Sequence, residues 1–190
     1  MNLEEYKKFI SEKRNKEERE AIRVVDVILR YHVDERWSEY SRDSVELYPH
    51  FVFNGEKERI EMDLLIVLKH PNSRYERKIG VEFKETDVEK VLAQACLRKN
   101  YVDYMYIATR DIKINYKHVF IMSFFGIGWI IWEEGFANII FPARYTTTDY
   151  IFEDLINTAL RVKLEEKKEE IKREIDKIVK LDKFIEESRG

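Results

Sequence analysis

Ile60-Glu61-Met62-Asp63-Leu64-Leu65-Ile66-Val67-Leu68 is followed, after the break His70-Pro71-Asn72-Ser73, by Lys78-Ile79-Gly80-Val81-Glu82-Phe83-Lys84-Glu85. The first run is nearly continuous in apolar residues, as expected of a strand covered on both faces. Each run carries an acid where burial makes a charge costly unless it has a partner. The break predicts a hairpin through Pro71 that lays the two strands side by side and brings Asp63 near Glu82. Strand period puts Glu82 and Lys84 on one face and Phe83 on the other.

Working outward, Leu3, Tyr6, Phe9 and Ile10 have helical spacing, and Asn15 interrupts them. A second helix is expected near Lys16–His32, with Glu18, Ile22, Val25 and Leu29 on one stripe and Glu20 pointing away. Val45–Phe53 reads as a strand, placed at an edge by Pro49, and Asn54-Gly55 marks a hairpin to the Ile60 strand. Downstream, a helix over Asp87–Lys99 would turn Val88, Val91, Leu92 and Ala95 inward. A strand at Asp103–Ala108, a helix near Asn115–Phe124, a strand from Gly126 to Trp132 and another at Phe136–Phe141 complete the pattern. The expected fold class is α/β, a mixed β-sheet flanked by helices. It divides into a domain over residues 1–150 and a charged, long C-terminal helical segment over 151–190.

Composition narrows the function classes. Hydrophobic residues make up 44% and charged residues 37% of the 190-residue chain, which fits a packed core with a heavily solvated exterior. No apolar run is long enough for a membrane span and no secretory signal is seen, so an intracellular, non-membrane protein is expected. Cys96 is the single cysteine, which excludes an intramolecular disulfide. His32, His50, His70 and His118 are scattered without zinc-site spacing. A formal charge of −3 is unusual for a nucleic-acid-binding chain, yet Lys69–Lys99 holds eight Lys/Arg against five acids. That stretch is a candidate phosphate-binding strip or a solvated face of mixed charge. Gln94 is the only glutamine among abundant Glu and Lys, a composition that suggests a thermophilic source.

Two hard oxygen ligands, a cation beside the attacking water and a nearby orienting group suit divalent-metal hydrolysis of a phosphodiester, and Asp63, Glu82, Lys84 and Gln94 are the candidates for them. The Glu-x-Lys triplet alone decides nothing, because Glu5-Tyr6-Lys7, Glu76-Arg77-Lys78, Glu165-Glu166-Lys167 and Glu170-Ile171-Lys172 also match. The strand context separates Glu82-Phe83-Lys84 from these. Spacing leaves two readings open: a metal site, or an ion-pair triad of Asp63, Glu82 and Lys84 at the sheet rim. Gln94 is either part of the site or a polar residue on an exposed helix face. Trp129 and Trp132 are either core aromatics or surfaces on which bases stack.

The ordered set of a helix, a hairpin strand with Asp63, a strand with Glu82-Phe83-Lys84, a helix with Gln94 and the strand Tyr104-Met105-Tyr106-Ile107-Ala108 resembles the PD-(D/E)xK nuclease superfamily. Restriction enzymes, Holliday junction resolvases, repair nucleases and RecB-type exonuclease domains belong to it. Met62 stands where the family name has proline. The resemblance implies a restriction-endonuclease-like fold, DNA as partner, and Mg²⁺ or Mn²⁺ held by Asp63, Glu82 and the backbone carbonyl of Phe83. It implies that Lys84 positions the attacking water and that Gln94 sits nearby on the following helix. RecB-like members have tyrosine four residues after that glutamine, where this chain has Arg98. Glu18-Arg19-Glu20-Ala21-Ile22 resembles an archaeal resolvase pattern and makes Glu18 a further candidate for the metal or its water shell. The expected activity is a Mg²⁺/Mn²⁺-dependent DNA endonuclease, resolvase-like in its choice of DNA structure. The competing expectation is a non-catalytic DNA-binding or scaffolding protein of the same fold. Leu164, Ile171, Ile178 and Ile185 recur every seven residues and suggest a homodimer.

Overall fold

The computed structural model describes residues 1–13, 16–54, 59–110 and 115–146, of which residues 16–18 and Asn54 are described in backbone only. All lie within one compact unit, Met1–Thr147. The predicted C-terminal helix with its heptad stripe, Asn15, and the Asn54-Gly55 turn as a whole lie outside the described residues.

Helices α1 (Leu3–Ser11) and α2 (Lys16–Leu29) open the chain, and one π-helical turn over Arg30–Asp34 continues α2. Asn2 starts α1 by accepting the Glu5 N–H while the Glu5 carboxylate takes the Asn2 N–H, a reciprocal cap that satisfies two donors the helix leaves open. Strands β1 (Val45–Asn54), β2 (Arg59–Lys69) and β3 (Glu76–Lys84) form an antiparallel meander. Helix α3 (Val88–Arg98) crosses to β4 (Tyr104–Thr109), and α4 (Tyr116–Phe125) crosses to β5 (Gly128–Glu133). Both crossovers join parallel neighbours, and β6 (Phe136–Phe141) returns antiparallel to β5. The sheet of six strands therefore runs β1-β2-β3-β4-β5-β6, with Pro49 on an edge strand as the sequence implied.

Helices cover both faces, which makes the protein α/β with a mixed, six-stranded sheet. Tyr6, Ile10, Val24, Val25 and Ile28 pack on Leu64, Ile66, Ile79, Val81, Tyr106 and Trp132 on one face. On the other, Val91, Leu92, Ala95 and Met122 pack on Leu65, Val67, Met105, Ile107 and Trp129. The four positions expected to turn inward on α3, Val88, Val91, Leu92 and Ala95, are all buried. None of the described helices is long and apolar enough to cross a membrane.

Two expectations need correction and one open choice is decided. Gly126 does not begin β5; it ends α4 in the left-handed conformation at φ 69°, where glycine avoids the Cβ clash other residues meet. Glu20 does not point away into water: it is 9% exposed and accepts from Arg23 Nε at 2.8 Å. Helix α2 touches α1 as well as β5 and β6, so its buried surface is wider than one stripe. Trp129 and Trp132, at 7% and 0% exposed, are core aromatics, the first of the two readings, and are not surfaces for bases.

One irregularity positions the candidate site. The β1–β2 ladder runs through Pro49↔Leu64 and resumes at Phe51↔Met62, passing over His50 and Asp63. His50 has φ 50° there, an uncommon backbone state for a residue with a side chain. Strict alternation would place Met62 with Leu64 and Ile66, yet it packs with Leu65 and Val67. Strand β2 thus changes face at Asp63.

Close packing also limits substitution at β5. A Cβ on Gly128 would lie 2.5 Å from the Ala143 nitrogen and 2.4 Å from the Tyr106 ring. Backbone and a buried ring cannot both retreat, so Gly128→Ala is expected to cost about 3 kcal/mol through overpacking. The urea midpoint of unfolding reads this directly, and an unchanged midpoint would show that β5 can shift freely.

Candidate active site

Pairing between β2 and β3 runs from Lys69↔Glu76 to Leu64↔Val81. The next step of that register sets Asp63 against Glu82, where the side chain of Asp63 takes over from the ladder: its Oδ2 accepts the Phe83 N–H at 2.8 Å. This buried-edge hydrogen bond ties the two motif strands together through the acid itself. Phe83 turns its ring into the core under α1 and α2, which leaves Glu82 and Lys84 on the opposite face of β3, toward α3.

Glu82 is fully buried. Its Oε2 accepts from Arg98 Nη1 of α3, and its Oε1 has no hydrogen-bond partner among the described residues. Burial and then the neighbouring Asp63 carboxylate push the Glu82 carboxyl up to about 8, while Arg98 and the Asp63 backbone pull it down. Its ionised form therefore depends on a cation held against it. The Coulombic effect of Asp63 on Glu82 also marks the two carboxylates as electrostatic neighbours.

Gln94 lies one helical turn before Arg98, on the same face of α3. Its Oε1 is buried and likewise lacks a partner among the described residues. Lys84 is half-buried at the C-terminal end of β3, and none of the described carboxylates pairs with it. The ion-pair triad open at the sequence level does not form among the described residues: Glu82 pairs with Arg98 and not with Lys84. Sequence reasoning missed this pair. The available signal was spacing, since Arg98 occupies the position four residues after Gln94 where the RecB-like pattern has tyrosine.

No cluster of three or more His, Cys, Asp or Glu side chains able to hold a metal ion occurs among the described residues. Asp63 and Glu82 are a pair, and the side chain of Glu18 lies outside the described residues. A pair is nonetheless the usual protein share of a Mg²⁺ site, which keeps several waters and takes one or two carboxylates. The two partnerless buried oxygens, Glu82 Oε1 and Gln94 Oε1, are hard donors of the type such an ion prefers. The residues present fit a divalent ion of this kind.

The Lys69–Lys99 strip does not form one patch. Arg77 and Lys84 stand seven residues apart on β3, roughly 23 Å at strand rise. Arg77 stacks on Trp37 at the far end, with its guanidinium 4.3 Å from the ring centre, and Lys69 pairs with Glu46 at 2.6 Å. Lys84 on β3 and Arg98 on α3 remain beside the acids, whereas Lys99, in the turn after α3, donates to the Phe125 carbonyl at 2.9 Å. The exposed aromatics of α4 are Tyr116, Phe120 and Phe124, at 78%, 68% and 47%.

No protein-family model matches this chain. No curated protein matches it either. Among solved structures, the SPO1766 protein of unknown function from Silicibacter pomeroyi is similar over 73% of this chain and 85% of its own, at 14% identity and a TM-score of 0.38. A likeness of that degree carries no argument about this chain.

Proposed function

We propose that this chain is a divalent-metal-dependent deoxyribonuclease of the PD-(D/E)xK type, with the sheet in a restriction-endonuclease-like arrangement. One observation carries the reading: Asp63 and Glu82 are electrostatic neighbours where the pairing of β2 and β3 ends, with a buried oxygen of Glu82 lacking a donor among the described residues. Burying one carboxylate beside a second, half-buried one is costly, and such an arrangement is commoner where it serves catalysis or binding.

Asp63, Glu82 and the Gln94 amide oxygen would hold Mg²⁺ or Mn²⁺, with the Phe83 carbonyl as the remaining protein candidate. When bound, the ion supplies Lewis-acid stabilisation of the phosphoryl oxygens and lowers the pKa of a water. Lys84, on the same strand face as Glu82, orients the attacking water and places positive charge where the phosphorane gains negative charge. Asp63 has a second task in the resting protein, since its Oδ2 fixes the Phe83 backbone and with it the aim of Glu82 and Lys84. Phe83, wedged into the core, keeps the strand from rotating. A pair of copies would serve cleavage of both strands of a junction or duplex.

The Arg98–Glu82 contact favours the second reading, a DNA-binding or scaffolding protein whose acids serve an ion pair. The discriminating experiment is a cleavage panel over duplex, single-stranded, flap and four-way-junction DNA in Mg²⁺ and in Mn²⁺. The nuclease reading expects metal-dependent cleavage of at least one form, strongest on the branched ones. Binding to DNA without cleavage of any form under either metal would establish the scaffold instead.

A further inference from the structure

Arg98 is the group that neutralises Glu82 in the metal-free protein, and its side chain is 17% exposed against 0% for Glu82. It takes only Oε2, which leaves Oε1 open. A divalent ion on Oε1 would stand beside the guanidinium on Oε2, and two like charges at that range repel strongly in a desolvated setting. Loading of the site and retention of the Arg98 contact therefore oppose each other.

Charge accounting gives the displaced arginine a destination. With Glu82 ionised, Asp63 and Glu82 bring two negative charges, and Arg98 with Lys84 brings two positive ones, so the metal-free site is then balanced. A divalent ion leaves it two charges in excess. A bound phosphodiester removes one of these, and the dianionic transition state removes both. Arg98 is anchored on α3, which packs against β3 and β4, so it stays near the acids after leaving Glu82. A partly buried guanidinium without an anion is costly, and its planar fork matches phosphate oxygens.

We propose that Arg98 is a substrate-phosphate ligand held in reserve on Glu82: a divalent ion displaces its guanidinium, which then takes a non-bridging oxygen of the bound DNA strand. The inference rests on the nuclease reading above and extends it to a residue outside the acid, lysine and glutamine set. Arg98 belongs to substrate binding here, and its role has two signatures of opposite sign. Removing it should strengthen metal binding, because a competitor for Glu82 is gone. It should weaken DNA binding to the metal-loaded protein, because a phosphate ligand is gone. An arginine that only stabilises the fold would weaken both.

The test measures Mn²⁺ affinity by titration calorimetry, and affinity for a labelled duplex and a labelled four-way junction in Ca²⁺. It compares the wild type with Arg98→Gln, Arg98→Lys and Asp63→Asn, each checked for folding by circular dichroism. Arg98→Gln is expected to bind Mn²⁺ about 10-fold tighter and DNA about 10-fold weaker, a step of the size one charged contact commands. Arg98→Lys, which keeps the charge and protects the fold, should move about 3-fold in the same two directions. Wild-type Mn²⁺ binding that Asp63→Asn abolishes, combined with unchanged or weaker Mn²⁺ affinity in the Arg98 variants, overturns the inference and leaves the nuclease reading standing. Unchanged DNA affinity in those variants overturns it equally. Absence of Mn²⁺ binding to the wild type overturns both.

Discussion

Asp63→Asn is expected to lower divalent-metal-dependent DNA cleavage by on the order of 10³-fold or more while leaving the fold in place. Asparagine retains an oxygen that can accept the Phe83 N–H, the 2.8 Å contact that ties β2 to β3. What it deletes is the charge that faces Glu82. The substitution therefore separates the structural task of Asp63 from its electrostatic one. Single-turnover cleavage in Mn²⁺, with circular dichroism as the folding control, measures the effect. Cleavage within about 10-fold of the wild type would take Asp63 out of the chemistry. Alanine at Glu82 is the poorer probe, because it would leave the Arg98 guanidinium partly buried without its carboxylate.

Lowering the pH from 6.5 to 4.5 is expected to remove roughly 2 kcal/mol of stability through His32 alone, the slope approaching about 1.4 kcal/mol per pH unit at the acid end. His32 is fully buried in the π-helical turn, with Nε2 2.8 Å from the Tyr106 hydroxyl and Nδ1 lacking a partner among the described residues. Its ring packs among Trp37, Tyr104 and Tyr106. Burial, then Arg36 and Arg77, lower its pKa from 6.5 to about 3. The imidazolium would have to bury a charge and donate from both nitrogens, and Nδ1 has no acceptor there. The folded protein thus refuses a proton that the unfolded chain takes up below pH 6.5. The stabilising contribution is complete above that value and is lost progressively as the pH falls toward 3. His32→Gln, which keeps a polar group for Tyr106, should flatten urea-derived stability over this window by close to one proton relative to the wild type. An identical pH slope in the two proteins would mean that His32 reaches solvent or finds an acceptor.

Much of the framework was legible from local pattern. The α3 face formed by Val88, Val91, Leu92 and Ala95 follows from helical period and the Asp87 cap, and neither needs distant partners. The hairpin through Pro71 and the edge position of β1 follow equally from turn chemistry and from proline's missing donor. Other features were hidden for physical reasons. Period two assigns Met62 to the wrong face, because the switch at Asp63 arises jointly with His50 on the neighbouring strand. The basic stretch looked like one strip because residues close in sequence need not be close along an extended strand. Gly126 read as the start of a strand from its apolar neighbours, yet it closes α4 through a backbone angle that composition does not reveal.

The candidate site divides along the same line. Linear order determined that two acids lie in neighbouring buried strands, that a lysine shares a face with one of them, and that a glutamine follows on the next helix. Those relations depend on strand and helix periods, which act over a few residues. Only the tertiary structure decided that Arg98 pairs with Glu82, that Lys84 stands outside that pair, and that Glu82 Oε1 and Gln94 Oε1 are buried without a donor among the described residues. Ion pairs and desolvation depend on distances across the interface between α3 and β3, and no local period encodes them.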